Sequence, residues 1–437
     1  MWVEINSTGK LLVAYSGGVD SHVLLHCLSQ SNYKNRLTAI HVDHQLHSNS
    51  KQWTQHCARV CAALSVPLRV EIVSVEKNKG DSLEEQARRA RYAAILKHVD
   101  VETVVLTAQH ADDQAETVLM QLFRGAGVSG LAAMPQVKVF GRGRLERPLL
   151  NKTRADIVAY ANEHNLQWLE DPSNQNKTLT RNFIRHEVMP LLRSRWPSVV
   201  KTIARSAHHC GEASELLDEY ASQVAGINFI TQELSARGNS FESRGIIKDC
   251  FAALAVTTVS PAAQKNLIRY WLKQTLNYIP NENKLRAMMD MPNLPTDAHS
   301  AVALDQHDIR YFQSHFYIVP KIKINDYAFT WDLKNDLVIP GVGTLCLVKD
   351  PNGQVDLKKC QYKNMIVRNR RGGESILLPS QKHHKKLKQL FLEWSVPPWQ
   401  RPYWPLLVVE SEVIAVPGLA VSEKVCSDQG GFSLQII

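Results

Sequence analysis

The chain has 437 residues, 44% hydrophobic and 21% charged, the balance of a globular protein with an ample core and a length that suggests roughly two to four domains. No apolar run approaches the ~18 residues of a membrane-spanning helix, and Met1-Trp2-Val3-Glu4 lacks the basic-then-apolar pattern of a signal peptide, so the expected compartment is the cytoplasm. The eight cysteines contain no C-x-x-C pair, which argues against zinc-ribbon, iron–sulfur and redox-motif classes, while the formal charge of +9 suits a polyanionic partner such as nucleic acid.

In chain order, short apolar runs alternate with helical patterns over the first 125 residues. Strands are predicted at Lys10–Tyr15, Arg36–Val42, Leu68–Val73 and Thr103–Thr107, and helices at Val19–Gln30, Lys51–Leu64, Ser82–His98 and Asp112–Phe123. That alternation predicts an α/β domain with a parallel, doubly wound sheet, whose ligands bind beyond the carboxyl ends of the strands. Ser16–Ser21 follows the first strand, His41-Val42-Asp43-His44 the second and His110-Ala111-Asp112-Asp113 the fourth, so these polar clusters are expected at one sheet edge. A glycine-rich loop, Arg124–Gly130, comes next, then a basic stretch with Arg142, Arg144, Arg147, Lys152 and Arg154. Trp168–Asn174 reads as a turn, and Arg181–His186 opens a helix punctuated by Pro190 and Pro197. From 198 to 325 the pattern is mainly helical, clearest at Glu212–Gln223 and Ala262–Leu276. From 326 onwards, short β-like runs with turns at Ile339-Pro340-Gly341 and Pro351-Asn352-Gly353 predict a small α+β domain. The expected domains are therefore 1–197, 198–325 and 326–437.

Ser16-Gly17-Gly18-Val19-Asp20-Ser21 is the most informative segment. An apolar strand running through glycines into a helix aims backbone N–H groups and the positive end of the helix dipole at one point, which suits a phosphate. Ser16 and Ser21 add hydroxyls, and Asp20 is a candidate magnesium ligand. The spacing is not that of a Walker loop; it resembles the PP-loop of ATP pyrophosphatases, which cut ATP between the α- and β-phosphates. In His110–Thr117, Asp113 and Glu116 lie three apart and share a helical face. They suit either a cationic amine or a metal ion, although acidic residues also complement a helix N-terminus. Arg88, Arg91 and Tyr92 share another face, either as a solvated basic surface or as phosphate contacts. His41 and His44 have the residue type of metal ligands but no further spaced partners; Asp43, at a strand end, is the better candidate for magnesium, nucleotide or substrate.

Together, Ser16–Ser21, His41–His44, Arg88–Tyr92, His110–Thr117 and Arg124–Leu131, followed by Glu170–Asn174 and Arg181–Arg185, resemble the N-terminal domain of the tRNA(Ile)-lysidine synthetases. Lys386–Phe391 with Val396-Pro397 and Arg401 resembles that family's C-terminal tRNA-binding domain. Val19 stands where some PP-loops carry Lys, and His47 where the family usually carries Arg. The resemblance implies ligation of L-lysine to C2 of the wobble cytidine in the CAU anticodon of isoleucine tRNA, through an adenylated cytidine, with ATP converted to AMP and diphosphate. It assigns ATP to Ser16, Gly17, Gly18, Val19, Asp20 and Ser21, Mg²⁺ to Asp20 and Asp43, and lysine to Asp113 and Glu116. Catalytic roles fall to Asp43, Arg91, Asp113, Glu116 and Arg181, the two arginines facing the α-phosphate. A homodimer is compatible with the resemblance.

Between Lys363 and Lys388 there are eight Lys/Arg and one acidic residue. Arg368, Arg370, Arg371, Lys382, Lys385, Lys386 and Lys388 are the expected tRNA-binding residues, through phosphate contacts with little sequence reading. Trp394, Trp399, Tyr403 and Trp404 follow, suited either to stacking on unpaired bases or to packing beside prolines. The rival readings are a PP-loop tRNA thiolase, which lacks support without C-x-x-C pairs, and a non-catalytic RNA-binding protein, which intact phosphate-loop and carboxylate residues argue against.

Overall fold

The computed structural model describes residues 2–5, 7–45, 49–74, 83–228, 250–252, 259–294, 300–313, 315–321, 323–350, 353–356, 359, 365–427 and 431–436. His47, Ser82, Pro351, Asn352 and Lys363 lie outside them. The chain divides into two compact units, Met1–Leu216 and Leu217–Ile437.

The first unit is built on β1 (Lys10–Ala14), β2 (Leu37–Asp43), β3 (Leu68–Ile72), β4 (Thr103–Leu106), β5 (Val137–Phe140) and β6 (Gly143–Glu146). They form one sheet in the order β3-β2-β1-β4-β6-β5, parallel except for β5, which pairs antiparallel with β6. Alternation along β1 sends Leu11 and Val13 to one face and Leu12 to the other. The first face packs against α1 (Val19–Ser29), α2 (Ser50–Ala63) and α6 (Arg154–Glu163) through Val23, Leu24, Leu28, Cys57, Cys61 and Ile157. The second packs against α3 (Leu83–Leu96) through Ile95 and Tyr92. A sheet apolar on both faces needs helices on both, which is why the alternating pattern reads as doubly wound. The chain leaves β1 for β2 on one side and returns to β4 on the other, so the topological switch point lies between β1 and β4. A ligand crevice belongs there.

After α4 (Ala111–Phe123) and α5 (Val128–Leu131), the segment Thr180–Arg195 runs as α7 (Thr180–Phe183), a π turn over Ile184–Val188 and α8 (Met189–Arg195). Pro190 lacks the N–H that would bond back to His186, so the ladder widens there instead of breaking. Ile184 and Met189 are buried against Ala111 and Ala115 of α4, which fixes this segment on the helix that follows β4.

In the second unit, helices Pro261–Leu276 and Glu282–Asp290 surround Trp271, Leu272 and Leu285. Beside the expected helices stands a four-stranded sheet, built from short runs at Cys250–Ala252, Ala301–Ala303, His307–Phe312 and His315–Pro320. The last residues form antiparallel sheets around a core containing Val367, Leu390, Phe391, Trp404 and Val416, with helix Leu387–Glu393 packed on it.

Candidate functional site

The loop between β1 and α1 is pre-formed by its own side chains. Ser21 Oγ accepts the Ser16 N–H at 3.2 Å, lies 3.0 Å from Ser16 Oγ and 3.0 Å from the Gly18 carbonyl. Gly17 has φ +85°, a conformation costly for any side chain, and its carbonyl accepts the Leu169 N–H at 2.9 Å. A Cβ at Gly17 would sit 3.0 Å from Leu169 Cδ1 and 3.1 Å from Cys57 Sγ, so α2 and the Trp168–Asn174 segment press on the loop from two sides. Gly18 is the N-cap of α1 with extended backbone and no side-chain cap. The first-turn amides of this 11-residue helix therefore face outward without an internal acceptor, as an anion-binding terminus requires.

Across the switch point, α4 carries a densely bonded carboxylate pair. Glu116 is 1% exposed, yet accepts from Arg181 Nε at 2.8 Å, Arg185 Nε at 2.7 Å and Arg185 Nη2 at 2.9 Å. Asp113 Oδ1 accepts from Arg181 Nη2 and Arg185 Nη2, each at 3.0 Å. Burial alone would raise the Asp113 carboxyl's pKa, but His110, Arg181 and Arg185 outweigh it and hold the group below its ordinary value. Arg181 and Arg185 are four apart and so share a face, and both aim at residues 113 and 116, three apart on the facing helix. Two carboxylates and two guanidinia make this clamp electrically neutral.

His110 occupies the N-cap of α4, where Nδ1 accepts the Asp113 N–H at 3.4 Å and the Asp113 carboxylate accepts the His110 N–H at 3.2 Å. That bond makes Nε2 the protonated nitrogen, and Nε2 lies 3.5 Å from Asp113 and 3.7 Å from Asp20. His110 thus spans the phosphate loop and the clamp. Asp20 is gripped by Arg154 Nη1 at 2.9 Å from both carboxylate oxygens, and Asp112 is bonded by the Arg154 backbone N–H and by Arg193.

The remaining sequence-predicted residues fall at the same edge. His41 Nδ1 donates to the Tyr15 carbonyl at 3.0 Å and joins the ends of β1 and β2. Burial, with Arg91 beside it, lowers the His44 pKa to about 4, so neutral His44 accepts from Arg91 Nε at 3.2 Å. Asp43 is buried, with Oδ1 accepting the Gln45 N–H at 2.8 Å. Among the described residues no group of three or more His, Cys, Asp or Glu is placed to hold a metal ion. Magnesium takes one or two carboxylates and fills its other positions with phosphate oxygens and water; of the two expected carboxylates, Asp20 has both oxygens on Arg154 and Asp43 has Oδ1 on Gln45. The Asp171–Asn174 turn is held by Asn182, whose Nδ2 donates to the Ser173 and Asn176 carbonyls at 3.1 and 3.0 Å.

The basic segment near the C-terminus divides by role. Arg368 bonds Glu374 at 3.0 Å, and Arg370 lies 3.6 Å from it and 5.8 Å from the centre of the Phe391 ring. Glu374 also accepts the Arg371 and Gly372 N–H groups, so Arg368 and Arg370 brace the turn. Arg371, Lys382, Lys386 and Lys388 are exposed, and Lys385 pairs with Glu393. Trp404 is a core residue, Trp394 packs on that core, and Trp399 packs against Phe312, Tyr317 and Arg310. Of the two readings for these tryptophans, packing accounts for their placement.

Comparison with known proteins covers nearly the whole chain. Residues 2–192 match the model of a PP-loop domain, 253–317 the TilS substrate binding domain and 365–436 the TilS substrate C-terminal domain. The tRNA(Ile)-lysidine synthase of Coxiella burnetii is 34% identical over 99% of this chain and 94% of its own length. Its counterpart in Nitrosomonas europaea is 35% identical over 99% and 92%. That of Pseudomonas fluorescens is 38% identical over 93% and 88%. The chain belongs to the tRNA(Ile)-lysidine synthase family. Within that family's motifs, the sequence reading passed over Arg185, which makes three bonds to the carboxylates where Arg181 makes two, and His110. The R-N-x-I-R spacing carried the signal for Arg185, since a second arginine four residues on must face the same way.

Proposed function

We propose that this chain joins L-lysine to C2 of the wobble cytidine in the CAU anticodon of isoleucine tRNA, converting ATP to AMP and diphosphate. The observation that carries the proposal is the apposition across the β1/β4 switch point of an anion-binding loop and the Asp113–Glu116 pair, bridged by His110.

In the first step cytosine O2 attacks the α-phosphorus, the bond to the bridging oxygen of the β-phosphate breaks, and diphosphate leaves. The amides of Val19, Asp20 and Ser21 take the leaving group's charge; Asp20 and Asp43 would hold a magnesium ion, which would supply neutralisation of phosphate charge. Arg91 and Arg181 serve the α-phosphate; Arg181 commits Nε and Nη2 to the carboxylates and keeps Nη1 for a further acceptor. In the second step the lysine ε-amine attacks C2, the C2–O bond breaks, AMP leaves with that electron pair, and the amine gives up a proton.

The nucleophile must be the neutral amine, although its reference pKa is ~10.4. Asp113 and Glu116 accept the amino group beside two guanidinia that already cancel their charge. Lysine therefore arrives as one cation too many, and the clamp both orients the ammonium and favours loss of its proton.

The division 1–197, 198–325 and 326–437 belongs to the same proposal, with catalysis in the first part and tRNA held by the others, Arg371, Lys382, Lys386 and Lys388 making phosphate contacts. Cytoplasmic residence and a homodimer complete it, the latter read by sedimentation velocity. The decisive experiment is incubation with labelled lysine, ATP and the isoleucine tRNA transcript, followed by nucleoside mass analysis. Lysidine formed only when all three are present supports the proposal; its absence with unmodified transcript recovered overturns it.

A further inference from the structure

On the α3 face of the sheet, away from α1, three cations gather around one tyrosine. Arg147 follows β6 directly and, by strand alternation, faces the same way as buried Leu145. It is 2% exposed; its Nη1 donates to the Pro135 carbonyl at 2.6 Å, and its Nε has no hydrogen-bond partner. Lys138 lies on β5 opposite Leu145 and points to the same face, with Nζ 5.7 Å from the centre of the Tyr92 ring. Arg88, one helical turn before Tyr92 on α3, places Cζ 5.2 Å from that ring.

Among the described residues, no carboxylate pairs with any of the three. Glu146, the nearest in sequence, is bonded to Arg144 at 2.8 Å. The Lys138 ammonium is held below its ordinary pKa by burial and then by Arg147 and Arg88, so the neighbouring charges it feels are positive. Gathering three cations and burying one without a counter-ion costs free energy that the Tyr92 ring and the Pro135 carbonyl offset only in part. An anion brought from outside would repay it.

The cluster is also tied to the catalytic elements. Gln114, between Asp113 and Glu116 on α4, bonds the Ala132 and Met134 carbonyls and the Met134 N–H. That loop carries the Pro135 carbonyl to Arg147. Because β6 runs parallel to β4, Arg147 emerges at the same carboxyl edge as the phosphate loop. The loop leads into α1 on the opposite face and meets phosphate with amides and hydroxyls. The Arg147 cluster meets an anion with full positive charges and no helix terminus.

We propose that Arg88, Lys138 and Arg147 form a phosphate site for the backbone of the RNA substrate, holding a phosphodiester near the reacting nucleotide. The inference rests on the reading of this chain as a tRNA-modifying enzyme. Arg147 is buried and its loss endangers folding, so the test uses the exposed residues. Binding of the isoleucine tRNA transcript to wild type, Arg88→Ala, Lys138→Ala and the double variant is measured by fluorescence anisotropy across a salt series, and KM for ATP is measured for each. Each single variant is expected to weaken tRNA binding roughly 3- to 10-fold and to lower the slope of log K against log[salt] by about 1, with KM for ATP unchanged. Unchanged affinity and slope overturn the site, and so does a raised KM for ATP with tRNA binding intact, which would assign the cluster to the nucleotide. Nucleoside analysis of the wild-type reaction, run in parallel, separates this outcome from failure of the functional reading itself: lysidine formed by wild type with salt slopes unaltered in the variants sinks only the phosphate site.

Discussion

Replacing Arg185 by Gln tests whether the clamp acts on the proton of the incoming lysine. The residue makes three charge-assisted bonds, to Asp113 Oδ1 at 3.0 Å and to Glu116 at 2.7 and 2.9 Å. An ammonium that shares a carboxylate oxygen with it lies about 5 Å from the guanidinium, given ~2.9 Å bonds meeting at roughly 120°. The Arg185 side chain is 28% exposed, so an effective dielectric of about 40 applies, between the surface and bulk-water values. The repulsion is then about 1.7 kcal/mol, or about 1.2 pH units on the amine. Arg185→Gln leaves the clamp with a net negative charge and keeps the ammonium protonated. Lysine KM should fall, kcat at pH 7 should fall about tenfold, and the rising limb of the pH–kcat profile should move up by about one unit. Arg185→Lys keeps the charge while losing the fork, so its limb should stay with wild type. The assay is lysine-dependent AMP release from the adenylated tRNA across pH 6–10. A limb that stays in place in Arg185→Gln, or moves down, refutes the charge argument.

Four further outcomes follow from the same geometry. Gly18→Ala should fold as wild type, since Gly18 has ordinary extended backbone and its Cβ would be 3.6 Å from Ser16 Oγ, yet raise KM for ATP by blocking close approach. Gly17→Ala, at φ +85°, should instead destabilise the fold by roughly 1–2 kcal/mol, so equal melting temperatures for the two variants would contradict the loop geometry. His110→Asn keeps an N-cap acceptor but removes Nε2, so the melting point should hold while lysine transfer slows roughly tenfold, about 1.4 kcal/mol; lost stability with normal turnover would leave His110 merely a cap. His22 is 4% exposed, packed near His56, His26 and Tyr15, and burial, with His56 adding to it, lowers its pKa to about 4. The unfolded chain takes up that proton from about pH 6.5 downward and the folded one only near 4, so stability is full above ~6.5 and is lost as pH falls, by up to about 3 kcal/mol. Melting temperature against pH should flatten in His22→Leu, and an unchanged slope would count against this assignment.

Much of the first unit was legible because its two signals are local. Apolar runs of four to seven residues joined by amphipathic helices leave few alternatives to a doubly wound sheet, and β1 to β4 fall within a residue or two of their predicted bounds. The phosphate loop was equally readable, since glycines between a strand and a helix have a local geometric reason. What stayed hidden depends on pairings between distant residues. Glu116 meets Arg181 and Arg185 across 65 and 69 positions, and Asp20 meets Arg154 across 134. A sequence displays an exposed-looking acidic pair; only the fold reveals that its charge is already cancelled. The sheet of the middle region was missed for another reason. Two of its four strands, Ala301–Ala303 and Cys250–Ala252, have three residues each, too few to set a period of two, and His307–Phe312 buries only Ile309 and Phe312, three apart, which is not a strand's alternation.

α4 explains why the D-D-Q-A-E-T spacing resists separation into independent parts. Successive residues on a helix turn by about 100°, so consecutive side chains leave in different directions. Asp112 turns toward Arg154 and Arg193, Asp113 and Glu116 toward the arginine clamp, and Gln114 toward the loop that seats Arg147. Ala111 and Ala115, four apart, face inward against Ile184 and Met189 and hold the helix against the segment that carries both arginines. A methyl group is what this closeness allows. Ala115→Leu would push Thr180–Arg195 away from α4 and lengthen the Glu116–Arg185 contacts of 2.7 and 2.9 Å without touching either residue. The clamp's charge balance would then be disturbed by a purely apolar change. The expected signature is an upward shift of the pH–kcat limb in the same direction as Arg185→Gln, with ATP binding at the phosphate loop intact. Loss of ATP binding alongside it would mean that α4 and the phosphate loop move as one body, and that the two halves of the site are not separately tunable.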